Sequence, residues 1–258
     1  MSEVRAKKAL GQHFLTDKNI SRKIADAVSG PATVLEVGCG MGMLTQFLLE
    51  REDLEVWGVE IDGESVEYLH EHFPEFAPRL LGSDFLQMDL AEKFPQGVTV
   101  AGNFPYNISS QIFFKVLENR ALVPECVGMI QKEVAVRLAE PPGSRDYGIL
   151  SVLLQAWYDI EYLFTVHENV FNPPPKVKSA VIRLRRNGVE DLGCDEALFI
   201  KVVKASFGQR RKMIRNSLRS VFGQFGGEEH PFFSRRAEQL SVAEFVELTN
   251  WVGSHITR

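Results

Sequence analysis

Residues 33–42, with the sequence TVLEVGCGMG, decide the fold class of this chain. The first five contain three apolar side chains and lead directly into turn-forming glycines, which indicates a buried strand. Apolar residues at positions 43, 44, 47 and 48 then recur with helical spacing. A strand, a glycine turn and a helix in this order predict the front of a nucleotide-binding α/β unit, in which the helix N-terminus faces the ligand.

The spacing of the glycines separates two kinds of cofactor. A dinucleotide fingerprint needs G-x-G-x-x-G, but position 43 is Met. The pattern found, G-x-G-x-G at Gly38, Gly40 and Gly42, is common in enzymes that bind S-adenosylmethionine, which brings no phosphate to the helix. Taken alone, such a glycine turn is weak evidence for a cofactor site.

Acidic residues follow the next two predicted strands. Glu60 ends the strand at 55–61, 22 residues after Gly38, where it can accept hydrogen bonds from both ribose hydroxyls of an adenosine cofactor. Asp84 follows a short strand at 79–82 and is suited to accept from an adenine amino group. Because ligands bind at the carboxyl ends of strands in open α/β sheets, these positions together predict a pocket for an adenosyl cofactor.

The fourth strand end carries the residues that indicate a reaction. An apolar run at 98–102 leads into Asn103, Phe104, Pro105 and Tyr106. An amino group conjugated to a purine is a poor nucleophile, and the carbonyls of the Asn103 side chain and the Phe104 backbone can accept its two N–H groups. Pro105 fixes the backbone, and Tyr106 offers a ring on which a base can stack. The turn predicts methylation of such an amine, and the alternative is a strand-ending turn with an aromatic in the core.

The composition bounds the class of protein. The chain has 258 residues, 45% hydrophobic and 24% charged, which fits a soluble globular protein with a larger and a smaller domain. No apolar stretch approaches the roughly 18 to 20 residues of a membrane span, and residues 1–12 lack the apolar segment of a signal peptide. We therefore expect a cytoplasmic protein without a membrane partner. The three cysteines, at positions 39, 126 and 194, are too far apart to indicate a disulfide framework, a zinc site or another metal site.

The basic residues are segregated. A net charge of −5 would argue against a nucleic-acid partner if it were evenly spread, but segments 1–23, 176–186 and 201–219 hold 18 of the 29 Lys and Arg residues and two acids. This pattern is typical of a protein with one face toward a polyanion, although each segment could also be a solvated face. The candidate RNA-binding residues are Lys201, Lys204, Arg210, Arg211, Lys212 and Arg215.

The chain changes character after residue 187. Further strands are predicted at 126–130, 150–164 and 179–184, and helices at 107–118 and 131–139. This gives a mostly parallel seven-stranded sheet with a late antiparallel hairpin. Residues 189–258 have helical patterns only. We therefore predict a catalytic domain at 1–187 and a small helical domain at 188–258. A proline-rich loop at 171–177 presents Phe171, which is either a packing residue or, opposite Tyr106, the second wall of a base sandwich.

Nine stretches between about residues 7 and 219 resemble the ribosomal RNA adenine N6,N6-dimethyltransferase family, specifically its small-subunit enzymes of the kasugamycin-sensitivity type. The stretches, in the order of the family, are GQHFLTDKNI, VLEVGCGMGMLT, GVEID, GSDFL, NFPYNISS, MIQKEVAVRL, YGILSVLLQ, FNPPPKVKSAVIRL and FGQRRKMIRNSL. The resemblance implies a class I S-adenosylmethionine-dependent methyltransferase fold with a small C-terminal helical, RNA-binding domain. It also implies dimethylation of two adjacent adenines near the 3′ end of small-subunit rRNA, on a late assembly intermediate of the subunit.

The same resemblance implies a role for each matching residue. It implies cofactor contacts from His13, Leu15, Gly38, Gly40, Glu60, Asp84 and Asn103. It also implies that Asn103 binds the target amine and that Tyr106 and Phe171 stack on the base. His13 and Phe104 stand where the family commonly has Asn and Leu, which leaves the details of cofactor affinity open. We expect a monomer. The alternatives are a methyltransferase of large-subunit rRNA and an assembly factor whose catalysis is secondary.

Overall fold

The computed structural model describes residues 4–225 and 227–256. The strands in these ranges are β1 (Phe14–Leu15), β2 (Ala32–Val37), β3 (Leu54–Val59), β4 (Leu80–Leu81), β5 (Thr99–Asn103), β6 (Glu125–Gln131), β7 (Tyr158–Val166), β8 (Phe171–Asn172) and β9 (Ser179–Arg186). The α-helices are α1 (Lys18–Ala27), α2 (Thr45–Leu49), α3 (Gly63–His72), α4 (Leu90–Lys93), α5 (Ser109–Glu118), α6 (Lys132–Ala139), α7 (Ile149–Gln155), α8 (Glu196–Gly208), α9 (Ile214–Phe222) and α10 (Val242–His255).

Seven of these strands form one sheet with the order β4-β3-β2-β5-β6-β9-β7. The pairs β2–β3, β3–β4, β2–β5 and β5–β6 are parallel, and β9 runs antiparallel to β6. The chain builds outward from β2 to β4 and then returns to place β5 on the other side of β2. Strand order thus reverses between β2 and β5, and ligands bind outside the carboxyl ends of strands at such a switch point. The predicted α/β fold, with a mostly parallel seven-stranded sheet, is confirmed.

The central strands form the core because both of their faces are covered. Val34 and Leu35 of β2 and Val100 and Ala101 of β5 are each fully buried. Burial of one large apolar side chain contributes about 1.5–3 kcal/mol, so this continuous apolar pattern favours the parallel centre of the sheet. Asp17 caps α1 by accepting hydrogen bonds from the N–H groups of Asn19 and Ile20.

The segment predicted as a strand within 150–164 is partly a helix. Residues 149–155 form α7, and the strand β7 starts only at Tyr158. The N–H of Gly148 donates to Ser151 Oγ at 2.9 Å, which stabilises the first turn of α7. A short apolar run such as ILSVLLQ suits a buried helix as well as a buried strand, so periodicity does not separate the two.

The described residues divide into two compact units. The first contains the described residues up to Ala135 together with Asp159–Arg186, and the second contains Val136–Tyr158 together with residues 187–256. The long segment of the second unit begins one residue before the predicted domain start at 188, and this unit also includes residues 136–158, which the sequence prediction placed in the first domain. The reason lies in packing, because the ring of Trp157 meets that of Phe199 in α8 edge-on, with centroids 6.1 Å apart.

In the described ranges, no helix combines the length and the apolar character that crossing a membrane requires.

Candidate active site

A cavity of about 180 Å³ lies at the carboxyl ends of β2, β3 and β5, within the first unit. Its walls come from residues 10–14, from the turns that follow these strands, and from residues 83–86. The residues predicted from the sequence that line it are His13, Gly38, Gly40, Glu60, Asp84, Asn103, Phe104, Pro105 and Tyr106. The predicted cofactor residues and the predicted amine-binding turn thus share one cavity.

Gly40 forms the cavity wall at a point where a side chain has no room. Its φ is +54°, and a Cβ atom there would lie 3.1 Å from two carbons of the Phe14 ring. Gly38 also has a positive φ, of +76°. Glycine adopts this left-handed region without steric penalty, so the turn presents backbone instead of side chains to a ligand.

Replacing Gly40 by alanine should destabilise the protein by about 1–2 kcal/mol, because the new Cβ is strained by its φ and by Phe14. The affinity for S-adenosylmethionine should fall as well, since the turn lines the cavity. Thermal unfolding and calorimetric titration would measure the two effects. Gly63→Ala is the matched control, because a Cβ at the start of α3 meets no atom within 4 Å. Equal melting temperatures and affinities for both variants would contradict this interpretation.

The Glu60 carboxylate lies in the cavity wall with its residue only 4% exposed. Oε2 accepts a hydrogen bond from Gly40 N at 2.8 Å, and Oε1 accepts one from Asp62 N at 2.9 Å. Burial raises the pKa of Glu60, and the N–H groups of Asp62 and Gly40 oppose that rise. An ionised carboxylate can accept about four hydrogen bonds, so capacity remains for two ribose hydroxyls. Together with the open glycine turn, this acceptor fits an adenosyl cofactor.

Asp84 and its neighbours form the next part of the wall. Oδ1 of Asp84 accepts a hydrogen bond from Leu86 N at 2.9 Å and caps the turn at Phe85–Gln87. Ile61, an apolar residue that lines the cavity, is nevertheless 58% exposed. The sequence interpretation missed Ile61 and Leu86, although Ile61 directly follows the acid Glu60, and an apolar residue in that position is a readable signal for contact with a flat ring.

Glu36 is a buried acid behind the cavity that the sequence interpretation did not select. It is 1% exposed and accepts a hydrogen bond from Thr45 Oγ1 at 2.6 Å. Burial raises the pKa of Glu36 from 4.5 to about 8, against the opposing effect of the Thr45 hydrogen bond. The folded protein therefore keeps this proton where the unfolded chain loses it.

A stability difference that depends on pH follows from Glu36. Its contribution to the free energy of unfolding is fully present below pH 4.5 and is lost as the pH rises through about 8. Relative to Glu36→Gln, the native protein should lose about 2–4 kcal/mol of stability between pH 5 and pH 9. Urea unfolding of both proteins across this range would measure the difference. Parallel stability curves would show that Glu36 does not hold the proton.

The side-chain amide of Asn103 has a fixed orientation. Its Nδ2 donates to the backbone carbonyl of His13 at 3.0 Å, which leaves Oδ1 as the end available to a substrate. Among the described residues, none donates a hydrogen bond to this Oδ1. The N–H of Phe104 donates to Met129 O at 3.0 Å and so extends the β5–β6 ladder into the turn. Two acceptors, Asn103 Oδ1 and the Phe104 carbonyl, thus belong to one rigid turn.

The Phe104 ring explains how this chain accommodates an aromatic residue in the turn. The ring is 1% exposed and lies edge-on to Phe113, with centroids 5.8 Å apart. A Cβ atom at Gly128 would lie 2.3 Å from this ring, and one at Gly102 would lie 3.0 Å from it. The two neighbouring strands therefore carry glycine where the larger ring needs space.

Tyr106 is held from two sides. Its hydroxyl is hydrogen-bonded to Ser179 Oγ, and its ring lies at an angle of 32° to that of His13, with centroids 5.3 Å apart. Nδ1 of His13 in turn donates to the backbone carbonyl of Pro173 at 2.8 Å. Burial raises the pKa of the Tyr106 hydroxyl, so it stays neutral. The sequence offers no signal for Ser179, because 73 positions separate it from Tyr106.

Two predicted site residues do not line the cavity as the structure describes it. Leu15 and Phe171 are register partners in the β1–β8 pair, and each is 4% exposed within the apolar core. Side chains alternate along a strand, so Phe14 faces the cavity and Leu15 faces the core. A stacking role for Phe171 stays a prediction and would require its ring to leave the core.

The predicted RNA-binding residues of the second unit fall into two groups. Arg210 donates to the carbonyls of Arg145 and Tyr147, and Arg215 pairs with Glu229. These two guanidinium groups therefore already have partners within the unit. Lys201, Lys204, Arg211 and Lys212 are exposed residues, as is Arg210, and the ammonium group of Lys201 lies 5.1 Å from the centroid of the Phe222 ring.

The described residues contain no cluster of three or more His, Cys, Asp or Glu side chains that could hold a metal ion.

Known proteins resemble this chain along nearly its whole length. The family model described as ribosomal RNA adenine dimethylase matches residues 3–252. A relative from Parabacteroides distasonis, named ribosomal RNA small subunit methyltransferase A, is 56% identical over 262 residues, which cover 100% of this chain and 98% of the relative. The protein of that name from Porphyromonas gingivalis is 57% identical over 254 residues, which cover 96% of this chain and 98% of the relative.

Two solved structures resemble the chain. The crystal structure of the 23S rRNA methyltransferase ErmE is 26% identical, with a TM-score of 0.65 over 91% of this chain and 99% of that one. A dimethyladenosine transferase from Plasmodium falciparum is 23% identical, with a TM-score of 0.77 over 95% of this chain and 100% of that one, and its likeness concerns the fold alone. The similarity therefore extends beyond the cofactor-binding part of the chain.

Proposed function

This chain belongs to the ribosomal RNA adenine dimethylase family, and on that basis we propose that it methylates adenine N6 in small-subunit rRNA. The cofactor is S-adenosylmethionine, and the products are N6,N6-dimethyladenosines at two adjacent positions near the 3′ end of the rRNA. The observation that carries the proposal is the orientation of Asn103, whose Nδ2 is occupied by the His13 carbonyl and whose Oδ1 is available as an acceptor.

The turn residues act on the target amine. Oδ1 of Asn103 and the backbone carbonyl of Phe104 accept its two N–H groups, which draws the nitrogen lone pair out of conjugation with the adenine ring. Pro105 fixes the backbone of the turn, and the neutral ring of Tyr106 stacks on the base. These contacts favour the tetrahedral nitrogen of the transition state over the planar nitrogen of free adenine, so they lower the barrier.

The cofactor residues hold the other reactant in the same cavity. When the cofactor is bound, Glu60 would accept hydrogen bonds from its ribose, Asp84 would accept one from its adenine amino group, and the backbone of Gly38 and Gly40 would line its methionine part. When bound, S-adenosylmethionine supplies a methyl group attached to a positively charged sulfur. The electron pair of the broken S–CH3 bond stays on that sulfur. Once methylated, the amine nitrogen carries a positive charge, and its proton becomes acidic enough to pass to water.

We further propose an immature small ribosomal subunit as the partner and a monomeric enzyme. The name shared by relatives that are 56–57% identical along almost the whole chain supports small-subunit rRNA as the substrate. The exposed basic side chains at Lys201, Lys204, Arg211 and Lys212 supply contacts to phosphates, whose strength should fall with salt.

The substrate can be tested directly with undermethylated small subunits, free rRNA and large subunits as competing acceptors. We expect methylated adenines to map to two adjacent sites near the 3′ end of the rRNA in small subunits. Methylation confined to large subunits would overturn the proposal in favour of the large-subunit alternative. An Asn103→Ala protein that still restores normal subunit profiles would identify assembly as the main role.

Ser179→Ala should lower kcat about 5-fold, because loss of one hydrogen bond of about 1 kcal/mol leaves the Tyr106 ring less well placed. The dissociation constant for S-adenosylmethionine should stay unchanged, because Ser179 does not line the cofactor cavity. Single-turnover rates and calorimetry would measure the two quantities. Tyr106→Phe lacks the same hydrogen bond, so the two changes combined should cost little more than either alone. If the reductions in kcat of Ser179→Ala and Tyr106→Phe were additive in the double variant, the two residues would not act through one hydrogen bond.

A further inference from the structure

Residues 7–13, here called the strap, cross the cofactor cavity and are held at both ends. Four of them, residues 10–13, line the cavity. At the C-terminal end, Phe14 pairs with Asn172 and the His13 ring donates to Pro173 O. At the N-terminal end, Lys7 Nζ donates to a carboxylate oxygen of Asp62. A ligand of this cavity can therefore exchange most readily when one end of the strap is released.

The Asp62 carboxylate receives two strap residues at once. Oδ1 accepts from Lys7 Nζ, and Oδ2 accepts from Gln12 Nε2 at 3.1 Å. Gln12 also accepts from the Lys7 backbone N–H at 2.7 Å, so the two strap residues support each other. The Asp62 side chain is 1% exposed, whereas Lys7 and its second partner Glu64, 3.0 Å away, are partly open to solvent.

Asp62 also touches the other wall of the cavity. Its backbone N–H donates to Glu60 Oε1 at 2.9 Å, and its carboxylate caps α3 by accepting from the N–H of Glu64. Burial opposes ionisation of Asp62, but the hydrogen bonds from Lys7 and Gln12 outweigh it and leave the pKa below its ordinary value. A single ionised residue thus connects the strap, the ribose-binding carboxylate and the start of α3.

We propose that Asp62 is a positioning residue for the cofactor, which latches the strap over the cavity through Lys7 and Gln12 and thereby limits the rate of cofactor exchange. This inference rests on the proposed function insofar as an adenosyl cofactor occupies the cavity. The latch residues lie outside the turn at residues 103–106. They therefore affect how long the cofactor and its product, S-adenosylhomocysteine, stay bound, and they do not affect the methyl-transfer step itself. Release steps of this kind can limit turnover.

The test measures dissociation of S-adenosylhomocysteine from the full-length protein by stopped flow, without RNA. Lys7→Met should accelerate release about 10-fold, because an ion pair to a buried carboxylate is lost. Lys7→Arg, which keeps the charge, should stay near the native rate. Asp62→Asn should match Lys7→Met, and the double variant should release no faster than either single one. Added salt should accelerate release from the native protein more than from Lys7→Met.

The variants separate a latch from a general structural role. Asparagine caps helices about as well as aspartate, so Asp62→Asn keeps α3 and the backbone contact to Glu60. Lys7 belongs to no α-helix, so Lys7→Met leaves that cap untouched. Lys93→Met, at an exposed lysine that ends α4, is the matched control and should release at the native rate.

Two results would overturn the proposal. One is a Lys7→Met protein that releases S-adenosylhomocysteine at the native rate, and the other is purely additive effects of Lys7→Met and Asp62→Asn. Either leaves the proposed rRNA substrate standing, because no RNA enters the measurement. Conversely, a protein that methylated a different RNA would still release S-adenosylhomocysteine faster in Lys7→Met. A native protein without affinity for S-adenosylhomocysteine would overturn both the latch and the proposed function.

Discussion

Asn103→Ala should slow methyl transfer to undermethylated small subunits by about 10²–10³-fold, while the dissociation constant for S-adenosylmethionine changes by less than about 3-fold. The variant removes Oδ1, an acceptor aimed at hydrogens whose nitrogen changes geometry only in the transition state. The residues proposed to bind the cofactor, namely Glu60, Asp84 and the glycine turn, are unchanged in this variant. Single-turnover methylation and calorimetric titration would give the two numbers.

Two companion variants sharpen this result. Asn103→Asp keeps an acceptor but loses the donor to His13 O, so the rate should lie between those of the native protein and the alanine variant. Asn119→Ala is the matched control, because this amide also donates to a backbone carbonyl, that of Lys115, but lies at the end of α5 outside the cavity. An Asn103→Ala enzyme that transfers methyl groups at the native rate would contradict the proposed role of Asn103 Oδ1.

Glu60→Ala should weaken S-adenosylmethionine binding about 100-fold, because it removes the proposed charge-assisted hydrogen bonds to the ribose, of about 1.5–3 kcal/mol. It also leaves the N–H groups of Gly40 and Asp62 without their acceptor, which loosens the turn. KM for the cofactor should rise more than kcat falls, since the methyl-accepting turn is intact. Glu60→Ala should therefore affect cofactor affinity more than the rate of methyl transfer, whereas Asn103→Ala should affect the rate more than the affinity.

Glu55→Gln provides the comparison for Glu60. Glu55 lies on the same strand, β3, but its side chain is exposed and bonds to Thr33 and Trp57 outside the cavity. The affinity of the Glu55→Gln variant for the cofactor should equal that of the native protein. Calorimetry would measure the dissociation constant for S-adenosylmethionine in both variants. A native value in Glu60→Ala would show that Glu60 does not bind the cofactor.

Much of the cavity was predictable because its residues follow strands that local patterns reveal. The apolar run before Gly38, the acid at Glu60 and the turn at Asn103 each sit where a parallel strand ends, and parallel strands bring those ends to one edge. The same local patterns misplaced residues 149–155, where an apolar run fits a helix and a strand equally well. They also gave residues 136–158 to the first domain, because membership of a core depends on partners such as Phe199 that lie far along the chain.

By itself, the sequence determined the sheet and the kind of cofactor, and it predicted the turn proposed to bind an amine, since these depend on short-range spacing and on residue chemistry. Only the tertiary structure decided which end of the Asn103 amide faces the cavity, because His13 O lies 90 positions away. It also placed Leu15 and Phe171 in the core and Ser179 against Tyr106. Such contacts follow from the register of distant segments, and no local periodicity encodes that register.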